Sequence, residues 1–169
     1  KLAEVLNCFE QIKNEGLSPD EVTIIFILKA AGRSGAIDKG KQIHDEIVKA
    51  GFLNCVVGNA LVDMYAKCGA LAKAQELLEE LPFRDVVSWS ALISGYVQEG
   101  QAHEALSCFK QMQDDGFSPN SVTFICILKA CSMIMDLGKG KQIHEEIVSR
   151  GLLEKDIGLG ISLVDMYAK

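Results

Sequence analysis

The chain has 169 residues, 49% of them hydrophobic and 24% charged, and 17 Lys and Arg against 23 Asp and Glu give a net charge of −6. That balance offers no overall positive potential for phosphate, so any nucleic-acid binding has to come from the charge of one face. The six cysteines contain no Cys-x-x-Cys pair and sit mostly on apolar helical stripes, which reads as reduced, packed thiols of a reducing compartment.

Residues 1–15 predict a helix that stops at Gly16, with Pro19 beyond it. No partner helix precedes it, there is no initiator Met, and the chain ends at Lys169 inside a helical pattern, so the sequence reads as part of a longer protein. Both ends are expected to expose apolar residues, among them Leu2, Leu6, Phe9, Leu163 and Met166, and to favour end-to-end self-association. No signal or transit peptide is visible. Residues 24–33 and 124–134 are apolar almost all round, which predicts burial on both sides. They are not membrane spans, because a span needs roughly 20 apolar residues and Lys29 or Lys129 interrupts each run early.

Residues 57–68 predict a helix with Leu61, Met64 and Tyr65 at helical spacing, ended by Gly69. Residues 71–81 repeat the pattern with Leu71, Ala74, Leu77, Leu78 and Leu81, and Pro82 stops them. Helices this short do not fold singly in water, so their neighbours must cover them. Further turns are expected at Gly35, Gly51, Gly100, Gly116 and Gly151.

Internal copies are present. Gly40-Lys41-Gln42-Ile43-His44 recurs as Gly140-Lys141-Gln142-Ile143-His144, Ile27-Leu28-Lys29-Ala30 as Ile127-Leu128-Lys129-Ala130, and Cys8-Phe9 as Cys108-Phe109, all displaced by 100. Residues 61–67 return as 163–169, so the second copy gains two residues in the turn between Gly151 and Gly160. Inside this period lie units at 21–54, 55–85, 86–120, 121–156 and a partial one at 157–169, after a half unit at 1–20. The full units and the last partial one open on β-branched residues, and those at 21, 86 and 121 add a Thr or Ser (Thr23, Ser88, Thr123) expected to cap the helix. The prediction is an all-α solenoid of ten helices without strands.

The run Val86-Val87-Ser88-Trp89-Ser90-Ala91-Leu92-Ile93-Ser94-Gly95-Tyr96, with Glu104-Ala105-Leu106 and Gly116-Phe117-Ser118-Pro119-Asn120, resembles a standard pentatricopeptide repeat. The long units with Gly-Lys-Gln-Ile-His and the short one with Leu-Val-Asp-Met-Tyr-Ala-Lys-Cys-Gly resemble the plant PLS subclass, which rotates P, L and S repeats. On that resemblance 1–20 is half a P repeat, 21–54 and 121–156 are L, 55–85 is S, 86–120 is P and 157–169 is partial S.

The resemblance implies a right-handed superhelix that binds single-stranded RNA, about one base per repeat, in an organellar RNA editing or processing factor of the mitochondrion or chloroplast. It implies base selection by Asn59 with Asp85, uracil-preferring, and by Ser90 with Asn120, adenine-preferring. Val56, Val87 and Val122 would clamp the bases, while Arg33, Lys67 and Lys169 would reach phosphate. Ile25 and Ile125 occupy the selecting position of the long units and can form no hydrogen bond to a base, so Asn54 and Asp156 lack a working partner. Ile161 and Gly158 depart from the pattern in the last unit. Editing cofactor proteins are expected partners of the long units.

Two other readings bear weight. A protein-binding solenoid scaffold of the tetratricopeptide kind fits Trp89, Leu92, Tyr96, Ala105 and Phe109, although Ile93 and Met112 stand where that family wants small residues. An enzyme is less well supported. His44-Asp45-Glu46 and His144-Glu145-Glu146 match half of a zinc deaminase site, but no Pro-Cys-x-x-Cys half follows, and both histidines are expected to pack between repeats. His103 is expected at the surface. No catalytic residue, cofactor or metal is expected.

Overall fold

The computed structural model describes residues 4, 5, 7, 11, 12, 14–16 and 19–169. Among them are nine helices and no strand: α1 (Glu21–Ser34), α2 (Ile37–Lys49), α3 (Cys55–Lys67), α4 (Leu71–Glu80), α5 (Val86–Gln98), α6 (Ala102–Asp114), α7 (Ser121–Met133), α8 (Leu137–Ser149) and α9 (Ile157–Ala168). The tenth, expected over 1–15, and the end residues Leu2, Leu6 and Phe9 fall wholly or largely outside the described residues. No helix among them is long and apolar enough to cross a membrane.

The helices form two compact units, residues 1–84 and 85–169. In the first, α1 packs on its hairpin partner α2 and on α3, and α3 packs on α4. In the second, α5 packs on α6 and α7, and α7 on α8 and α9. First helices therefore stack on first helices, and the second helix of each hairpin closes the core behind them.

All seven glycines expected at turns have positive φ, from 63° at Gly151 to 84° at Gly116. Gly35, at φ 66°, caps α1 by donating its N–H toward Ala31 O and Gly32 O, a conformation that costs any residue with a Cβ. One hundred residues on, the same place holds Met135 at φ 55°. The left-handed region costs an L-residue roughly 1–2 kcal/mol, and the Met135 side chain is 77% exposed and gives up little packing if removed. Met135→Gly should therefore stabilise the chain by about 1 kcal/mol, read as a raised midpoint in urea; an unchanged or lowered midpoint contradicts it.

The two recurring sequence blocks are two halves of one contact. A Cβ built on Gly40 of α2 would lie 2.4 Å from Met64 Sδ of α3, and one built on Gly140 of α8 would lie 2.5 Å from Met166 Sδ of α9. One turn along, His44 Nδ1 is 2.9 Å from Tyr65 Oη and His144 Nδ1 is 3.0 Å from Tyr167 Oη. Glycine lets the helices approach, methionine fills the gap, and the His–Tyr pair fixes the register. Both histidines thus pack between successive hairpins as expected, and His103 is exposed.

Burial, first, and then the Lys73 charge lower the pKa of His44 from its usual 6.5, against the opposing pull of Asp45 and Glu80. Burial likewise raises Tyr65 to about 12. A histidine whose pKa falls on folding contributes stability that is complete above its unfolded pKa and is lost as pH falls through 6.5 toward the folded value. Thermal stability should therefore drop between pH 7 and pH 5 more steeply in the parent than in His44→Gln. Parallel melting curves against pH for the two would refute this.

Two expectations are corrected. The runs 24–33 and 124–134 are not buried all round: Phe26 is 63% exposed and Met133 42%. Each first helix meets its neighbours along part of its circumference, and the sector at Phe26 lies outside that contact. At the other end of the chain Leu163 and Met166 are buried, because they face back onto α7 and α8, while Ile161, Val164 and Tyr167 carry the exposed apolar surface of α9.

Candidate functional site

The first helices begin at Glu21, Cys55, Val86, Ser121 and Ile157, the residues expected to open each unit. The expected caps shift by position. The N-cap is the Asp or Asn just before the helix, and Thr23, Ser88 and Thr123 stand inside it. Asp20 accepts from Thr23 N at 2.8 Å, Asn54 from Val57 N at 2.9 Å, and Asp156 from Gly158 N at 2.9 Å. Asp85 accepts from Val87 N and Ser88 N, and Asn120 from Thr123 N. Ser88 and Thr123 answer by accepting from the cap residue's own N–H, which closes a capping box. The last residue of each expected repeat is therefore rigidly held at a helix start.

The predicted selecting residues stand at these starts. Asn59 is half-buried on α3, with Nδ2 4.0 Å from Cys55 Sγ. Asp85, at the head of the second unit, is half-buried. Within the second unit the structure brings Ser90 and Asn120 together: Ser90 is only 5% exposed, and its Oγ is 3.5 Å from Asn120 Oδ1, 2.7 Å from Val86 O and 2.7 Å from Thr123 Oγ1. Asn120 is half-exposed, and its oxygen is the one turned inward.

The predicted clamps project into solvent, Val56 at 51%, Val87 at 53% and Val122 at 55% exposure. Val22, at the same place on α1, is 58% exposed; the sequence offered the signal, since it too stands two residues after an Asp or Asn, as Val56, Val87 and Val122 do. Four valines are so placed, one at the second residue of each of four helices, and each leaves about half of its surface open to solvent. Ile25 and Ile125 are half-buried.

The three basic candidates differ. Lys67 Nζ is 2.6 Å from Asp63 and Lys169 Nζ 2.9 Å from Asp165, both one turn back on the same helix, while Arg33 is exposed in the last turn of α1. Exposed pairs at this spacing contribute about 0.3–0.5 kcal/mol, so a phosphate could displace either carboxylate at little cost.

Of the cysteines, Cys108 and Cys131 are buried free thiols, and burial raises their pKa to about 12 and about 11. High pKa and poor access make these two packing groups rather than nucleophiles. Cys8 lies outside the described residues. Among the described residues no three His, Cys, Asp or Glu side chains converge on a metal position.

Family models described as a PPR repeat family and a PPR repeat match residues 84–133 and 59–86. The chain carries pentatricopeptide repeats. An Arabidopsis thaliana pentatricopeptide repeat-containing protein is 39% identical over 168 residues, covering 98% of this chain and 20% of that protein. A second from the same plant, named mitochondrial, is 40% identical over 168 residues, with 99% and 27% covered, and others are named chloroplastic. The chain spans about a fifth to a third of the length of the curated relatives it matches. Among solved structures, the maize pentatricopeptide repeat protein PPR10 in complex with an 18-nt psaJ RNA element superposes with a TM-score of 0.78 at 27% identity, covering 90% of this chain and 23% of that one. The all-helical hairpin stack is thus the fold of the pentatricopeptide repeat solenoids.

Proposed function

We propose that this chain is a single-stranded RNA-binding segment of an organellar RNA editing or processing factor, in mitochondrion or chloroplast, and that it contributes binding rather than catalysis. The observation that carries the reading is the solvent-exposed valine at the second position of four first helices, each two residues after an Asp or Asn whose side chain caps that helix. An exposed branched side chain next to a fixed polar group suits a flat base, whose face it packs and whose edge the polar group meets. The similarity to an RNA-bound pentatricopeptide repeat protein supports it.

The finer reading is a rotation of P, L and S repeats with the bounds given above, about one base per repeat. Ser90 with Asn120 favours adenine, and Asn59 with Asp85, from the sequence pattern, favours uracil. Val56, Val87 and Val122 clamp, and Arg33, Lys67 and Lys169 approach phosphate. The net charge of −6 favours a second role for the array in binding protein partners, editing cofactors among them, at exposed apolar positions such as Phe26 in the long units.

Titration of labelled single-stranded and double-stranded RNA against the chain tests the reading. Preference for the single strand, weakening as salt rises, is expected. Equal affinity for both, or none at low salt, sinks the RNA reading and leaves the protein-binding scaffold.

A further inference from the structure

We propose that Thr123 is a positioning residue for base selection, its buried hydroxyl seated between Ser90 Oγ and Asn120 Oδ1 so that the Asn120 amide is held with its NH2 turned outward. The inference rests on the reading of Ser90 and Asn120 as base-selecting.

Thr123 is fully buried, at 0% exposure. Its Oγ1 lies 2.7 Å from Ser90 Oγ and 3.0 Å from Asn120 Oδ1, and it accepts from Asn120 N at 3.3 Å. Its own N–H donates to Asn120 Oδ1 at 2.9 Å. A backbone N–H can only donate, so the atom facing it must be the amide oxygen, and the amide nitrogen takes the other side.

The proton count inside the trio is restrictive. Val86 O, 2.7 Å from Ser90 Oγ, is an acceptor only. If the Ser90 proton goes there, the short Ser90–Thr123 contact needs the Thr123 proton. If instead the Ser90 proton goes to Thr123, the Thr123 proton goes to Asn120 Oδ1. In both arrangements each hydroxyl is spent inside the protein. The Asn120 NH2 is the polar group of the trio with no partner among the described residues, and it is half-exposed. The second selecting position therefore offers a base a donor and no acceptor, and a ring nitrogen or carbonyl oxygen on the base edge is what it can bind. Ser90, short and covered, contributes space.

Thr123→Val keeps the shape and the backbone donor but removes the hydroxyl that orders Ser90, accepts from Asn120 N and, when its proton points that way, adds a second donor to the amide oxygen. The test titrates the chain with short oligouridylates carrying one variable base, for parent, Thr123→Val, Thr123→Ser and Asn120→Ala. Loss of one neutral hydrogen bond corresponds to about a fivefold change, so Thr123→Val should shrink the ratio between best and worst base by about that factor, and Thr123→Ser should restore it. A purely structural role would weaken all four RNAs alike and leave the ratio intact, which overturns the proposal. An unchanged ratio in Asn120→Ala would instead overturn the base-selecting reading beneath it. Should Thr123→Val fail to fold, NMR of the parent decides: the Asn120 NH2 protons should shift on adding RNA and show no NOE to the Thr123 amide proton. An NOE between them, or an NH2 signal indifferent to RNA, overturns the assignment.

Discussion

Phe109→Ala should cost the second unit about 3–5 kcal/mol, the usual range for an aromatic emptied from a core, whereas Phe83→Ala should change stability by no more than about 0.5 kcal/mol. Phe109 on α6 is 1% exposed and its ring stands 6.3 Å from that of Phe124 on α7, itself at 0%. It joins the closing helix of one hairpin to the opening helix of the next, and Ala105 and Met112 on the same face of α6 are also fully buried. Phe83, between α4 and α5, is 64% exposed and loses little on truncation. In a repeat array stability is close to a sum of hairpins and their nearest-neighbour contacts, so the loss should stay local. Amide exchange should quicken in α6 and α7 and stay near the parent rate in α1. A uniform rise in exchange along the chain would mean that the array unfolds as one body.

The hairpin order was legible because apolar spacing of 3.6, β-branched residues near each first-helix start, and a glycine at most turns, with Pro82 in its place before α5, point to the same bounds. The capping Asp or Asn was missed because the Thr or Ser three residues on looks equally able to cap. The contact between Gly40 and Met64 was written in the sequence too, as two blocks that recur together. What failed was direction on helices that are apolar nearly all round. In α9 periodicity alone cannot separate Leu163 and Met166 from Ile161 and Val164, since all four are apolar. The internal copy could have done so: Leu61 and Met64, their equivalents in α3, are fully buried. The Ser90–Thr123–Asn120 trio was out of reach for another reason. It joins residues 30 and 33 apart through side-chain rotamers, which spacing does not encode.

The double change Ser90→Asn with Asn120→Asp should move the preference at the second selecting position from adenine to uracil and leave the neighbouring uracil preference in place. The cap at α7 should survive, since Asp and Asn cap about equally well and Asp85 already fills the same role at α5 beside Ser88. What changes is the group left facing out. One oxygen at position 120 stays committed to Thr123 N, and the other atom becomes a carboxylate acceptor in place of an NH2 donor. The longer Asn at position 90 fills the space that Ser90 leaves open and brings its own amide to the base, where a pyrimidine edge fits and a purine is crowded. A wrong base costs about 1–3 kcal/mol in nucleic-acid readout, so the order of adenine and uracil should reverse by at least about fivefold in parallel titrations of RNAs that differ at this one base. Phosphate contacts alone would give every sequence the same affinity and a steep fall with salt. If parent and variant rank the four bases identically, Ser90 and Asn120 do not read RNA, and the exposed valines and the surface around Phe26 are better understood as a seat for a protein partner.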